Sequence, residues 1–162
     1  IDGTDLDGPL AIALAGAHAL AEHYTGTSIG AQVLEVALDA FPDGAIRLLQ
    51  GPATSVMSVT YVDAAATVQT MASNGYMLDD FSVPAWLAPA LNTGWPDTLA
   101  TVNAVKVRYN AGVDAVDSAV KSALLLLVSH LVNNADAVVK GNAIELPLGV
   151  KALLDTVRDW SV

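Results

Sequence analysis

The sequence predicts an α+β fold: a helical core with an inserted antiparallel β region. Three observations lead there. An alanine-rich segment near the start repeats at helical spacing, and residues 32–110 fall into short alternating runs. The stretch from Asn103 to Val139 then passes from a strand through Gly112 into a long helix too apolar to sit alone.

The first helix is expected over residues 7–25. Asp7 is a capping residue type, Pro9 suits a first turn, and Leu10, Leu14, Ala17, Ala21 and Tyr24 keep the i, i+4, i+7 rhythm. Thr25-Gly26 supplies the stop, with Gly26 suited to the left-handed conformation. Its polar stripe is little more than His18 and Glu22.

The β region follows. Gln32 to Phe41 places Leu34, Val36 and Leu38 on one face and Glu35, Ala37 and Asp39 on the other. Phe41-Pro42-Asp43-Gly44 is a turn signal, and Ile46–Leu49 a short strand ended by Gly51-Pro52. Val56–Val62 reads as a strand, Asp63-Ala64-Ala65 as a turn, and Thr67–Met71 and Tyr76–Phe81 as further strands. Residues 82–103, punctuated by Pro84, Pro89 and Pro96, read as an irregular loop that wraps the core or serves a function. Ala104–Asn110 is the last strand, with Val105, Val107 and Tyr109 opposite Lys106 and Arg108.

The long helix is expected over residues 117–139. At about 100° per residue, Val120, Ala123, Leu124, Leu127, Leu131, Ala135 and Val138 form one broad apolar face. Ser118, Ser122, Ser129, Asn133, Asp136 and Lys140 form the opposite stripe, with Leu125 and Leu126 beside it, away from the main core. Such a helix needs a second contact, within the chain or across subunits. Gly141-Asn142 ends it. A last short helix is expected over residues 147–159, where Val150, Leu153, Leu154 and Val157 oppose Lys151, Asp155 and Arg158, with Trp160 beyond.

Composition narrows function by exclusion. The chain has 162 residues, enough for one domain with a real core; it is 53% hydrophobic and only 15% charged. Its longest apolar block, Ala123–Val128, is far short of the ~18 uninterrupted residues that signal a membrane span. Covered subunit faces account better for the surplus apolar surface. The net charge is −10, and residues 1–31 contain no Lys or Arg, so the clustered basic surface of a nucleic-acid binder is missing. There is no cysteine, hence no disulfide and no thiolate metal site. No basic-then-apolar leader is visible, and Ile1 leads to the expectation that the chain begins inside a longer gene product.

Candidate chemistry is sparse. His18 and Glu22 share a helix face and could ligate a metal with His23 or His130, but His23 falls on another face and HExxH is absent; an ordinary polar stripe is the simpler account. Asp79-Asp80 could be paired carboxylates, but adjacent strand residues point to opposite faces. GxGxxG, GxxxxGK[ST] and GxSxG are missing, and Ser55, Ser58 and Ser129 have no histidine nearby in sequence. Trp86 and Trp95 could line a ligand pocket, with core covering the commoner role for such residues. No catalytic centre, cofactor or metal is expected, and function has to be read from assembly.

The order of signals resembles a known family. An early helix ends in Glu22-His23-Tyr24-Thr25-Gly26, and a strand opens on Gln32-Val33-Leu34-Glu35. Gly51-Pro52 then leads into Ser55-Val56-Met57-Ser58-Val59-Thr60-Tyr61-Val62-Asp63, followed by Gly94-Trp95-Pro96. Next, Asn103-Ala104-Val105-Lys106-Val107-Arg108-Tyr109-Asn110-Ala111-Gly112 precedes the LLLLVSHL helix, and Leu146-Pro147-Leu148-Gly149-Val150 with Leu153-Leu154 closes the set. No one motif is specific; the ordered set is. It resembles the head–tail connector (adaptor) proteins of long-tailed phages and gene transfer agents, in the larger variety that carries a β insertion.

Family members often begin with a further helical segment before an Asp-rich loop. Ile1-Asp2-Gly3-Thr4-Asp5 looks like that loop, so such a segment is expected to precede this chain. Where members often carry a Tyr-Glu-Asn-Arg-like stretch, this chain has Val132-Asn133-Asn134-Ala135, without the arginine.

The resemblance implies a non-enzymatic virion protein at the head–tail junction, assembled in the host cytoplasm. It would form a ring, typically dodecameric, beneath the portal protein and dock the head-closure (stopper) protein and tail. Double-stranded DNA would pass through without sequence-specific binding, helped by an acidic wall that lets phosphate slide. Val150, Leu153, Leu154, Val157, Arg158 and Trp160 are the expected portal-binding residues, and Leu125 and Leu126 the expected subunit interface. Two alternatives stay open: another neck component, head-closure or tail-terminator, and a small hydrolase or ligand-binding domain.

Overall fold

Three helices and seven antiparallel strands make up an α+β fold, seen in a computed structural model that describes residues 7–112, 116–133 and 146–160. In chain order these are α1 (Asp7–Thr25), β1 (Gln32–Leu38), β2 (Ile46–Leu48), β3 (Ala53–Val62), β4 (Val68–Thr70), β5 (Tyr76–Asp79), β6 (Ala85–Pro89), β7 (Val105–Ala111), α2 (Ser118–Asn133) and α3 (Leu148–Leu154). They form two compact units, one helical (described residues 7–29, 116–133 and 146–160) and one β (described residues 30–112).

The helical unit closes around Ala17 and Ala21 of α1, Val120, Ala123, Leu127 and Leu131 of α2, Val150 and Leu154 of α3, and Ile29. Ala17 and Ala21 of α1 and Ala123 of α2 let those two helices pack closely. Gly16 sits where an added Cβ would lie 3.8 Å from Leu131 Cδ1. Gly26, at φ 68°, ends α1 and donates its N–H to the Glu22 carbonyl at 2.9 Å. Asp117 caps α2, its Oδ1 accepting the Ala119 N–H at 2.7 Å. The expected continuation of α2 over 134–139, the Ala135, Val138, Asp136 and Lys140 positions, the Gly141-Asn142 stop and the loop at residues 1–5 lie outside the described residues.

The end of the chain departs from expectation. The helix predicted over 147–159 is α-helical only to Leu154, tightens to a 3₁₀ turn at Asp155–Val157 and is extended at Arg158. The cause is a long-range contact: the Asp159 N–H bonds the Thr25 carbonyl at 2.8 Å, satisfying one of the groups left unpaired at the C-terminal end of α1.

The β unit consists of a four-stranded sheet, order β1-β7-β3-β4, and a three-stranded sheet, order β2-β6-β5, around one core. Ile46, Leu48, Val59, Ala85, Leu87, Val105, Val107 and Tyr109 are its principal buried residues. β1 pairs with β7 across the whole insertion, Leu34 opposite Tyr109 and Leu38 opposite Val105. Alternation holds on both strands: Leu34, Val36 and Leu38 face the core, while Lys106 and Arg108 are exposed. Arg108 lies 3.8 Å from Glu35 on that outer face, an exposed pair of small energetic weight. Register shifts between Ala53 and Ser55 and between Val56 and Ser58 interrupt β3, so Met57 is exposed while Val59 is buried.

Residues 82–103 are not wholly irregular. Ala85–Pro89 forms β6, the central strand of the smaller sheet, with Leu87 opposite Ile46 on one side and Leu78 on the other. Pro84 and Pro89 bracket this strand rather than break it, because neither interrupts the ladder between them. The remainder of the stretch wraps the unit: Leu99 N–H bonds the Val62 carbonyl, and Asn103 N–H bonds Asp39 Oδ1. Trp95 stacks on Phe41 at 4.7 Å and donates its indole N–H to the Gly44 carbonyl at 2.7 Å, sealing the core at the Phe41–Gly44 turn.

Candidate interaction surfaces

His18, Glu22 and Asp79, singled out for chemistry, are occupied with structure. His18 Nε2–H donates to the Ile29 carbonyl, Glu22 Oε1 accepts the Ile29 N–H at 2.7 Å, and His18 Nδ1 lies 3.6 Å from Glu22 Oε2. Histidine and carboxylate together clamp the backbone of Ile29 against α1. His23 is exposed elsewhere, and the described residues hold no cluster of three or more His, Cys, Asp or Glu able to hold a metal ion. Asp79 accepts the Phe81 and Ser82 N–H groups and the Ser82 hydroxyl, and these bonds hold its carboxyl below the usual range, the hydroxyl contributing most. It organises a loop end.

Asp63 does the same at the β3–β4 turn, accepting from Gln69 Nε2 at 2.8 Å and from the Ala65 and Thr67 amides at 2.9 Å. The Gln69 bond, then the backbone bonds, hold its carboxyl below the ordinary 3.8. A depressed native value contributes stability above the unfolded value and loses it as pH falls through the native one. In an acid NMR titration the Ala65 and Thr67 amides should therefore move together with a midpoint below 3.8, and in Asp63→Asn they should stay still. A midpoint at or above 3.8 would count against this role.

Trp95 covers the core, whereas Trp86 lies partly exposed opposite Arg47 and Asp79.

The helical unit carries the surfaces of interest. In α3, Val150 and Leu154 are fully enclosed in the helical core, which corrects their expected availability to a partner; Leu153 and Val157 are partly buried against the same core. Arg158 and Trp160 remain accessible but are not loose. The Arg158 guanidinium lies between the rings of Tyr24, at 4.7 Å, and Trp160, at 4.5 Å. Tyr24 donates its hydroxyl to Asp155 at 2.7 Å, and that bond, followed by desolvation, raises the phenol above its ordinary value against the opposing pull of Arg158. Sequence periodicity could not reveal this cluster, since Tyr24 and Asp155 are 131 positions apart.

Leu125 and Leu126 stand where the helical angle puts them, 71% and 51% exposed, while Leu127 beside them is fully buried. A groove next to Leu126 runs between α2 and α3, lined by Ser129, His130, Asn133, Pro147 and Gly149. No helix among the described residues is long and apolar enough to cross a membrane.

No family model matches the chain, and no curated protein sequence matches it. Solved structures do. It is similar to a chain in the neck of an empty gene transfer agent particle, computed with C6 symmetry, at TM-score 0.81 and 24% identity, covering 100% of this chain and 83% of that one. A chain in the virion of a native gene transfer agent particle gives 0.77 at 24% identity, covering 96% and 79%. A third, in the neck of a native particle, computed with C12 symmetry, gives 0.77 at 24%, covering 98% and 86%. The α+β architecture is thus that of proteins built into virion necks.

Proposed function

We propose that this chain is a structural, non-enzymatic component of a virion neck: an adaptor that assembles as a ring beneath the portal, extends the DNA channel and connects capsid to stopper and tail. The full-length likeness to neck chains of gene transfer agent particles carries this reading. Two features of the chain support it: apolar side chains left uncovered on the helical unit, and an acidic composition that gives packaged DNA little to grip. The adaptor role is favoured over head-closure and tail-terminator proteins, which are mostly β, because the chain builds a helical core from α1, α2 and α3. Electron microscopy of particles carrying a tagged copy tests it. Label in a ring at the head–tail junction is expected, and label elsewhere, or a free monomer with enzymatic turnover, overturns the reading.

Portal docking is assigned to the accessible part of the C-terminal segment, Leu153, Val157, Arg158 and Trp160. Deleting Asp159 to Val162 removes Trp160 and the Asp159–Thr25 bond, costing the helical unit about 1 kcal/mol. The truncated chain should keep its circular dichroism spectrum and lose portal binding in a pull-down. Undiminished capture would refute the assignment.

A further inference from the structure

Gly8 to Ala17 of α1 contains no charged residue, yet its large side chains are not enclosed: Leu10, Ile12 and Leu14 are 48%, 77% and 53% exposed. Leu10 and Leu14 stack at i, i+4, and Ile12 projects from another side of the helix. A helix apolar on more than one side needs a cover on more than one side. The helical core supplies the first cover, partial at Ala13 and Gly16 and complete at Ala17.

Among the exposed apolar side chains of the helical unit's described residues are two unlike patches, the first turns of α1 and the Leu125–Leu126 face of α2. A closed ring is built from heterologous contacts, in which one patch on each copy meets a different patch on the next. Charge does not oppose that pairing: Lys121, one turn before Leu125, is exposed, and residues 1–31 contain no Lys or Arg to repel it.

Resting on the ring reading above, we infer that the occupant of the Leu125–Leu126 face is a second copy of this chain, through Leu10, Ile12 and Leu14 of its α1. The contact is head-to-tail, so every copy offers both halves. Absence of cysteine makes it directly testable with the full chain. Ile12→Cys and Leu125→Cys alter exposed positions and should fold normally.

Under oxidation, an equimolar mixture of the two single variants should give disulfide-linked dimers, each variant alone should stay uncross-linked, and the double variant should give a ladder. Mass photometry, with and without portal protein, reports assembly independently. Rings without cross-links in the mixture or the double variant overturn this interface and leave the ring reading standing. Dimers of either single variant as abundant as in the mixture mean a face-to-face contact and overturn it too. Particles that are monomeric throughout overturn the ring reading and the interface with it.

Discussion

Replacing Leu127 by alanine is expected to destabilise the helical unit by an amount in the upper half of about 2–5 kcal/mol. Leu127 is fully enclosed, with Val120, Ala123 and Leu131 of its own helix, Ala17 and Ala21 of α1, and Val150 and Leu154 of α3. The loss comprises the transfer free energy of the removed atoms and the cavity left behind. Cavity cost depends on whether neighbours can move in, and three of these neighbours are alanines with no side chain long enough to fill the space. Urea denaturation followed by helical circular dichroism measures the effect. Leu125→Ala, two positions away and mostly exposed, should change stability by no more than about 0.5 kcal/mol. Equal losses at the two positions would contradict the assignment of inward and outward leucines.

That contrast could be read from sequence because a helix converts spacing into angle, and Ser122, Ser129 and Asn133 mark its polar side. Gly26 was legible for the same local reason: it satisfies a backbone group a few residues away. The faces of β1 and β7 follow from alternation. Their pairing does not, since Gln32 meets Ala111 across the whole insertion and nothing local encodes the partner.

β6 was hidden by Pro84 and Pro89, which punctuate a loop as readily as they bracket a strand. The exact end of α3 depends on a carbonyl of Thr25, far away in the chain, and the bond from Arg158 reaches Tyr24, equally distant. The candidate docking segment changes most with structure. Its periodic stripe suggested four equivalent apolar residues, but Val150 and Leu154 complete the core, leaving Leu153 and Val157 partly exposed.

Leu126→Glu should abolish ring assembly while leaving the monomer folded. The side chain is half exposed in the chain itself, so a carboxylate there can stay hydrated and circular dichroism and thermal stability should barely change. In an assembled ring the same position would be covered, and an unpaired carboxylate taken out of water in an interface costs about 2–5 kcal/mol per contact. That corresponds to roughly 30-fold or more in the affinity of each pair. Because closure requires every contact at once, the penalty recurs around the ring and the cooperative assembly fails well before a single pair would. Sedimentation velocity across a concentration series, with portal protein added in a second series, distinguishes the outcomes. Folded monomers under conditions where the wild-type chain forms rings are expected. Rings of unchanged stability would place Leu126 outside the subunit contact, and an unfolded monomer would mean that the side chain supports its own domain instead.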